Sequence, residues 1–507
     1  MTTLSLEFIE EPLLAFRYGQ TMEHPKDGLY SFGPPEHPDN PDSVHVGVIG
    51  TASGIKIFKA WGEKIKGPIM PDSDKPQYSL FPGFKAAFKA DWFYQKGASI
   101  EISEETLRQY SRITDPYERV GKMATLYADQ LLNYHRKSEQ TPKVWFVIIP
   151  EYVFTHGRPE SNAAKGEQVT SNYYLSPRQI KSKAASGQQL LSFEGQEEAE
   201  KLTQYEVNFR NQLKARLLGK QIVTQIIRET TLAPTEFTKA NGYLIRTVQD
   251  AATIAWNLCT TAYFKSGGKP WKLADIRPGV CYIGLVFKRQ RAKEKGNACC
   301  AAQMFLDSGD GLVFRGADGP WYSRETKEYH LDREAAEELI RRAVEAYRNE
   351  ADEYPKELFI HSKGHFSDDE WQGFQAAVSP ETKLVGVRIQ DSKDIKLFRE
   401  GDWPVIRGSA LYLSDKLGYL WTRGFVARLD TYYGADVPNP ILVEIDKGNG
   451  DLQQVMEDVM ALTKVNFNAC LYGDGMPVTL RFADRVGEIL TSAPLTDKAP
   501  LPFKFYI

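Results

Sequence analysis

The sequence is poor in the features that assign a protein most quickly. Its 507 residues include only five cysteines (Cys259, Cys281, Cys299, Cys300 and Cys470), none in C-x-x-C spacing. That excludes a disulfide scaffold, a zinc ribbon and a thioredoxin-type redox centre, and the vicinal Cys299-Cys300 pair reads as a buried apolar step. No run approaches the ~18 consecutive apolar residues of a membrane span, and no basic n-region precedes an apolar stretch. A reducing cytoplasm is the expected location, with no membrane partner. Neither sign of charge dominates: 63 Lys and Arg face 66 Asp and Glu, a net −3. A nucleic-acid binder of this composition has to gather its positive charge in a channel. Internal repeats and low-complexity tracts are absent. So is a nucleotide-phosphate loop: Val48-Ile49-Gly50-Thr51-Ala52-Ser53-Gly54 has two glycines, no following Lys-Ser/Thr and no GxGxxG, which disfavours a small-molecule nucleotide enzyme.

What is present is ordinary globular material, 42% hydrophobic and 25% charged. The length suits two to four domains at ~150 residues each. Residues 1–43, rich in Pro and Gly, read as a short strand (Leu4 to Phe8) followed by turns. Val44 to Gly50 is a buried-strand pattern and opens an alternating β/α region, with further strands at Val144 to Ile149 and Gln221 to Ile227. Helical spacing covers 51–66, 104–136, 197–219 and 247–265, the last stopped by Ser266-Gly267-Gly268. Residues 155–190, polar and basic with little periodicity, read as a long excursion.

A second unit begins at Lys269-Pro270-Trp271. Gly279 to Phe287, 299–306 and 311–315 are strand patterns, the last two flanking the turn Ser308-Gly309-Asp310. Ala336, Leu339, Ile340, Ala343, Val344 and Tyr347 mark one face of a helix from Asp332. Strands at 358–361, 384–389, 395–398, 410–413, 419–421 and 441–445 and helices at 451–463 and 483–492 follow. The order is that of an RNase H-like domain. The fold class is therefore α/β, a Rossmann-like unit over 44–270 and an RNase H-like unit over 271–507, with 1–43 as a strand and linker associated with the latter.

Three phrases carry a family resemblance: Asp27-Gly28-Leu29 with Phe32-Gly33-Pro34, the run Pro355 to Trp371 (PKELFIHSKGHFSDDEW), and Pro477 to Arg485 (PVTLRFADR). Each is similar to a stretch of the short prokaryotic Argonautes, which carry MID and PIWI domains without N or PAZ. On this resemblance 44–270 is a MID domain and 271–507 a PIWI domain. In active PIWI domains acidic side chains hold paired Mg²⁺ ions. Here Val286 stands in the first aspartate position, Lys363 in the second, and Asp484 in the last. Glu325 and Glu328 fall in plausible order for the glutamate finger. Valine has no ligand atom and lysine puts a cation where metal should sit, so no slicing is expected, and Lys363 is expected to pair with Asp484. His361 and His365 flank a strand end, where i,i+4 spacing does not converge two nitrogens on a metal.

The resemblance also implies a pocket for a guide 5′-phosphate, at Arg210, Lys214, Gln225 and Lys265. The helix core Leu202, Tyr205, Phe209, Leu213 and Leu217 puts Arg210 and Lys214 on one flank. Like charges so placed destabilise a helix by ~0.2–0.5 kcal/mol, and an anion between them reverses the sign. The bland alternative is a solvated basic face, and for Lys265 a lysine favoured in a last helical turn. The end of the sequence, Pro500 to Ile507, is apolar apart from Lys504, and the resemblance implies that the Ile507 carboxylate joins a structural Mg²⁺ at the guide phosphate. It further implies a guide RNA, a single-stranded DNA target, and a separate TIR-APAZ protein forming a heterodimer with this chain and a higher oligomer on target binding, with NAD⁺ hydrolysis on that partner. Effectors with a sirtuin-like or nuclease domain on the APAZ protein, or a residual guide-directed nuclease, are the alternatives.

Overall fold

A computed structural model describes residues 4–158, 208–289, 298–305, 311–323, 325–432, 434, 436–492 and 499–507. Most of the 155–190 excursion, Leu202, Tyr205 and the Ser308 to Asp310 turn lie outside these residues.

Hydrophobic patterning sets two sheets. Val144–Ile149 is buried at every position, as a strand covered on both faces must be. It is central in a four-stranded parallel sheet ordered Asp91–Glu101, Ser43–Gly50, Val144–Ile149, Thr224–Arg228. Sequence reading missed Asp91–Glu101. Its buried and exposed positions do not alternate cleanly, because it is an edge strand with one neighbour and the register shifts between Val46 and Val48. The helical stretch expected over 104–136 is two helices, Glu104–Ser111 and Pro116–Lys137. Asp115 accepts from the Glu118 N–H at 2.7 Å and Pro116 takes the first helical turn, which starts a new helix instead of continuing the old one.

The larger sheet has ten strands. At its centre Glu357–Ser362 pairs in parallel with Val280–Arg289 on one side and Lys383–Asp391 on the other. Val280–Arg289 continues antiparallel through Ala298–Phe305 to Gly311–Gly319. Three antiparallel strands with two parallel strands added beside the first is the RNase H-like order. Ile441–Gly448, Leu417–Leu420, Ser409–Tyr412 and finally Ser5–Phe8 extend the sheet beyond Lys383–Asp391. The strand expected at 395–398 is not formed. Both edges of Lys383–Asp391 are already taken, and Phe398 is left 72% exposed.

Buried polar groups lock the N-terminal segment to the second unit. Glu11 accepts from Arg407 at 2.9 Å and from Lys464 at 2.6 Å, and Tyr472 donates to Glu23 at 2.9 Å. Trp271, fully buried, donates its indole N–H to the Lys464 carbonyl at 3.0 Å. The four cysteines whose side chains are described are free and buried. No described helix is long and apolar enough to cross a membrane.

Candidate nucleic-acid interface

The helix Phe209–Leu218 buries Phe209, Leu213 and Leu217, and Asn208 caps it by accepting from the Asn211 N–H at 3.3 Å. That packing turns Lys214 inward, against the first residues of Thr224–Arg228 and the last turn of the helix Ala251–Lys265. Three elements distant in sequence thus meet at one point, and the last residue described arrives there too. Lys214 Nζ donates to the Ile507 main-chain oxygen at 2.7 Å, and Lys265 Nζ donates to the same oxygen at 2.6 Å. Both also reach the Thr224 carbonyl, at 3.2 and 3.0 Å. Lys265 donates to Gln225 Oε1 at 2.6 Å, and Arg210 donates to the Tyr506 carbonyl at 3.0 Å. All four expected pocket residues and Ile507 are therefore brought together.

A solvated basic face does not describe these lysines, although Lys265 does stand in the last turn of its helix. Lys214 is 3% exposed and Lys265 1%. Burial pushes both ammonium groups well below the ordinary lysine range, and the charges of Lys265 and Arg210 add to the effect at Lys214. Arg210 is lowered to about 10 by burial and by Arg485. Such a cluster is costly unless an anion shares it. Sequence reading missed Thr224, whose carbonyl anchors both lysines, and Asn211, which ties the helix to Glu488 at 3.1 Å. Main-chain acceptors leave no sequence signal.

For a divalent ion the site offers two hard oxygen donors, Ile507 O and Gln225 Oε1, of the type Mg²⁺ takes. Lys265 already donates to both. Two ammonium groups there repel an ion that comes alone, so these engaged oxygens would receive one only together with an anion.

The second constellation lies across the RNase H-like sheet. Val286 is 1% exposed and presents no ligand atom. Lys363 Nζ sits 2.9 Å from Asp484 Oδ2, with both side chains more than half exposed. Glu328 lies close to Gly364 and pairs with His330 at 3.3 Å, while Glu325 is exposed in a turn. A Cβ at Gly284 would come within 2.0 Å of the Thr479 carbonyl oxygen, so only glycine lets the segment after Pro477 lie on this strand. His361, buried and lowered to about 3 by that burial, meets Thr479 Oγ1 at 2.8 Å. Its partner is not that of His365, which meets Asp446. His365, Glu444 and Asp446 lie close enough to share an ion. Their atoms are engaged, however: Asp446 meets His365 at 2.6 Å and accepts from the Phe366 N–H at 2.8 Å, and Glu444 pairs with Arg388.

No protein-family model matches the chain, and no curated protein is similar to it in sequence. In fold, the chain is similar to solved structures. The chain superposes on the structure of Clostridium butyricum Argonaute bound to a guide DNA (5′ deoxycytidine) and a 19-mer target DNA, with TM-score 0.64 and 15% identity over 99% of this chain and 55% of that one. The fold is that of the Argonautes. The crystal structure of Aa-Ago with externally bound siRNA gives TM-score 0.56 at 14% identity, over 99% and 56%. Aquifex aeolicus Argonaute gives 0.55 at 13%, over 100% and 57%. This chain spans about half the length of the Argonaute structures it matches. Within an Argonaute fold, the four-stranded parallel sheet is the MID unit and the RNase H-like sheet the PIWI unit.

Proposed function

We propose that this chain is a guide-binding, non-cleaving Argonaute subunit. The observation that carries the reading is the buried cradle of Lys214, Lys265, Gln225 and Arg210 around the Ile507 oxygen. A 5′-phosphate of a guide RNA supplies the negative charge those buried cations call for, and pairing between the guide and a single-stranded DNA target reads sequence while the protein holds the backbone. Ile507 and Gln225 would hold a Mg²⁺ brought in with the phosphate, and the bound ion would neutralise phosphate charge.

Cleavage is not part of this function. Val286, which has no ligand atom, and the pairing of Lys363 with Asp484 support this reading. A reader without chemistry needs an effector, and we assign that role to a separate TIR-APAZ protein of the cytoplasm. It pairs with this chain, assembles further when target is bound, and depletes NAD⁺ in cells carrying phage or plasmid DNA. Sirtuin-like-APAZ or nuclease-APAZ effectors fit the same subunit.

The test is to purify the full chain from cells and extract the nucleic acid bound to it. Short RNAs with 5′-phosphate ends are expected. Recovery of none, or of strands with mixed 5′ ends, would reject the cradle as a guide site.

A further inference from the structure

The outermost strand of the large sheet, Ser5–Phe8, has one neighbour, Ser409–Tyr412, among the described residues. Half of its main-chain N–H and C=O groups therefore point away from the sheet, a template for another strand. Three of the blocks that protect an edge are missing here: Ser-Leu-Glu-Phe contains no proline, no lysine and no bulge, although the strand is short and carries Glu7. On one face of the pleat Leu4, Leu6 and Phe8 are 65%, 58% and 57% exposed. Three consecutive apolar side chains on an open edge are not the scattered exposure of an ordinary surface.

The other face is acidic. Ser5 lies opposite Tyr412, so Glu7 shares its face with that ring, and both line a cavity of about 460 Å³ closed by the helix Leu452–Leu462. Glu7, Glu10, Asp275 and Glu457 line the same cavity, and among the described residues none of the four is in an ion pair. Among the described residues no Lys, Arg or His lines it. Burial, reinforced by Glu7, Glu457 and Asp451, pushes the Tyr412 phenol up to about 12.

We propose that this edge receives an extended segment of a partner protein in which basic and apolar side chains alternate. A strand added to Ser5–Phe8 sends alternate side chains to opposite faces. One set covers the Leu4, Leu6, Phe8 row, and the other places ammonium or guanidinium groups over the four carboxylates. The sign of the charge excludes nucleic acid. It also disfavours a second copy of this chain, whose own edge would bring Glu7 against these carboxylates. The inference rests on the reading that this chain works with a partner protein, and it adds where that partner attaches.

The probe is a fluorescein-labelled peptide of alternating lysine and valine, with a glutamate–valine peptide as control, titrated against the full chain by anisotropy at two salt concentrations. Binding of the lysine peptide alone, weaker at high salt, is expected. Leu6→Lys and Glu457→Lys each weaken it by ~tenfold or more, equivalent to ~1.4 kcal/mol, with unchanged melting and guide binding. Equal binding of both peptides, no binding, or no loss in Leu6→Lys overturns the assignment. So does a dimer in sedimentation that Leu6→Lys dissolves, since the occupant is then a second copy. If a co-expressed APAZ partner stays bound to the Leu6→Lys chain, the surface is wrong and the partner reading stands. If the lysine peptide binds as expected but no such partner does, the reverse holds.

Discussion

Replacing Lys214 with Met tests the cradle at one of its two buried lysines. Methionine keeps most of the stem volume and removes the charge. In the free protein the Thr224 carbonyl and the Ile507 oxygen still accept from Lys265, at 3.0 and 2.6 Å, so neither is orphaned. The fold should survive, and removing a buried ammonium whose charged form burial disfavours should leave stability level or slightly raised. The guide should feel the loss. A charge-assisted hydrogen bond contributes ~1.5–3 kcal/mol, which is ~10- to 150-fold in affinity. That penalty applies to a 5′-phosphorylated guide and not to a 5′-hydroxyl guide. The quantity to measure is therefore the ratio of the two dissociation constants, by filter binding or anisotropy with otherwise identical strands. Lys214→Met should shrink that ratio by one to two orders of magnitude. Adding Lys265→Met should bring it near unity, though by less than the product of the single effects because both lysines grip one oxygen. A ratio unchanged in the double variant, with the protein folded, would show that the phosphate binds elsewhere.

Three further outcomes follow from the same geometry. Guide affinity should fall as pH rises, because the ammonium groups of Lys214 and Lys265 are depressed in the free site and a bound phosphate raises them. Binding then takes up protons between the depressed and the ordinary lysine range, which calorimetry in buffers of different ionisation enthalpy detects; affinity rising with pH would contradict this. Incubating guide-loaded protein with labelled target and Mn²⁺ should give no product, and Lys363→Asp alone should not restore cutting, since Val286 still offers no ligand; a discrete cut would refute both. Glu11→Gln should destabilise the chain by ~3–5 kcal/mol in denaturant melts, because it leaves Arg407 and Lys464 buried with their shared counter-charge gone. Burial alone would raise the Glu11 carboxyl, but the two cations outweigh it and hold it low. Its contribution is present above the ordinary glutamate range near ~4.3 and is lost as pH falls through the lower folded value, so a Glu11→Gln melt that stays pH-dependent through that window to the wild-type extent would oppose the assignment.

Much of the architecture was legible because it is written in local pattern. Val144 to Ile149 could only be a strand buried on both faces, and the Asp332 helix showed its apolar face residue by residue. The RNase H-like order followed from the sequence of strands and helices alone. Edge elements were less legible. Asp91–Glu101 has one neighbour and an irregular register, so its hydrophobicity is weakly constrained, while 395–398 looked like a strand without any sheet edge to join.

The sequence by itself determined that Val286 has no ligand atom, that Lys363 is a cation where the resemblance places a carboxylate, and that basic side chains recur at Arg210, Lys214 and Lys265. Only the tertiary structure decided that two of those lysines are buried and share the Ile507 oxygen. It likewise decided that Lys363 lies 2.9 Å from Asp484, and that Leu4, Leu6 and Phe8 lie along a sheet edge beside carboxylates that form no ion pair among the described residues. The reason is physical. A side chain's chemistry is carried by its own residue, whereas its burial, its partners and hence its ionisation depend on chain segments hundreds of residues away.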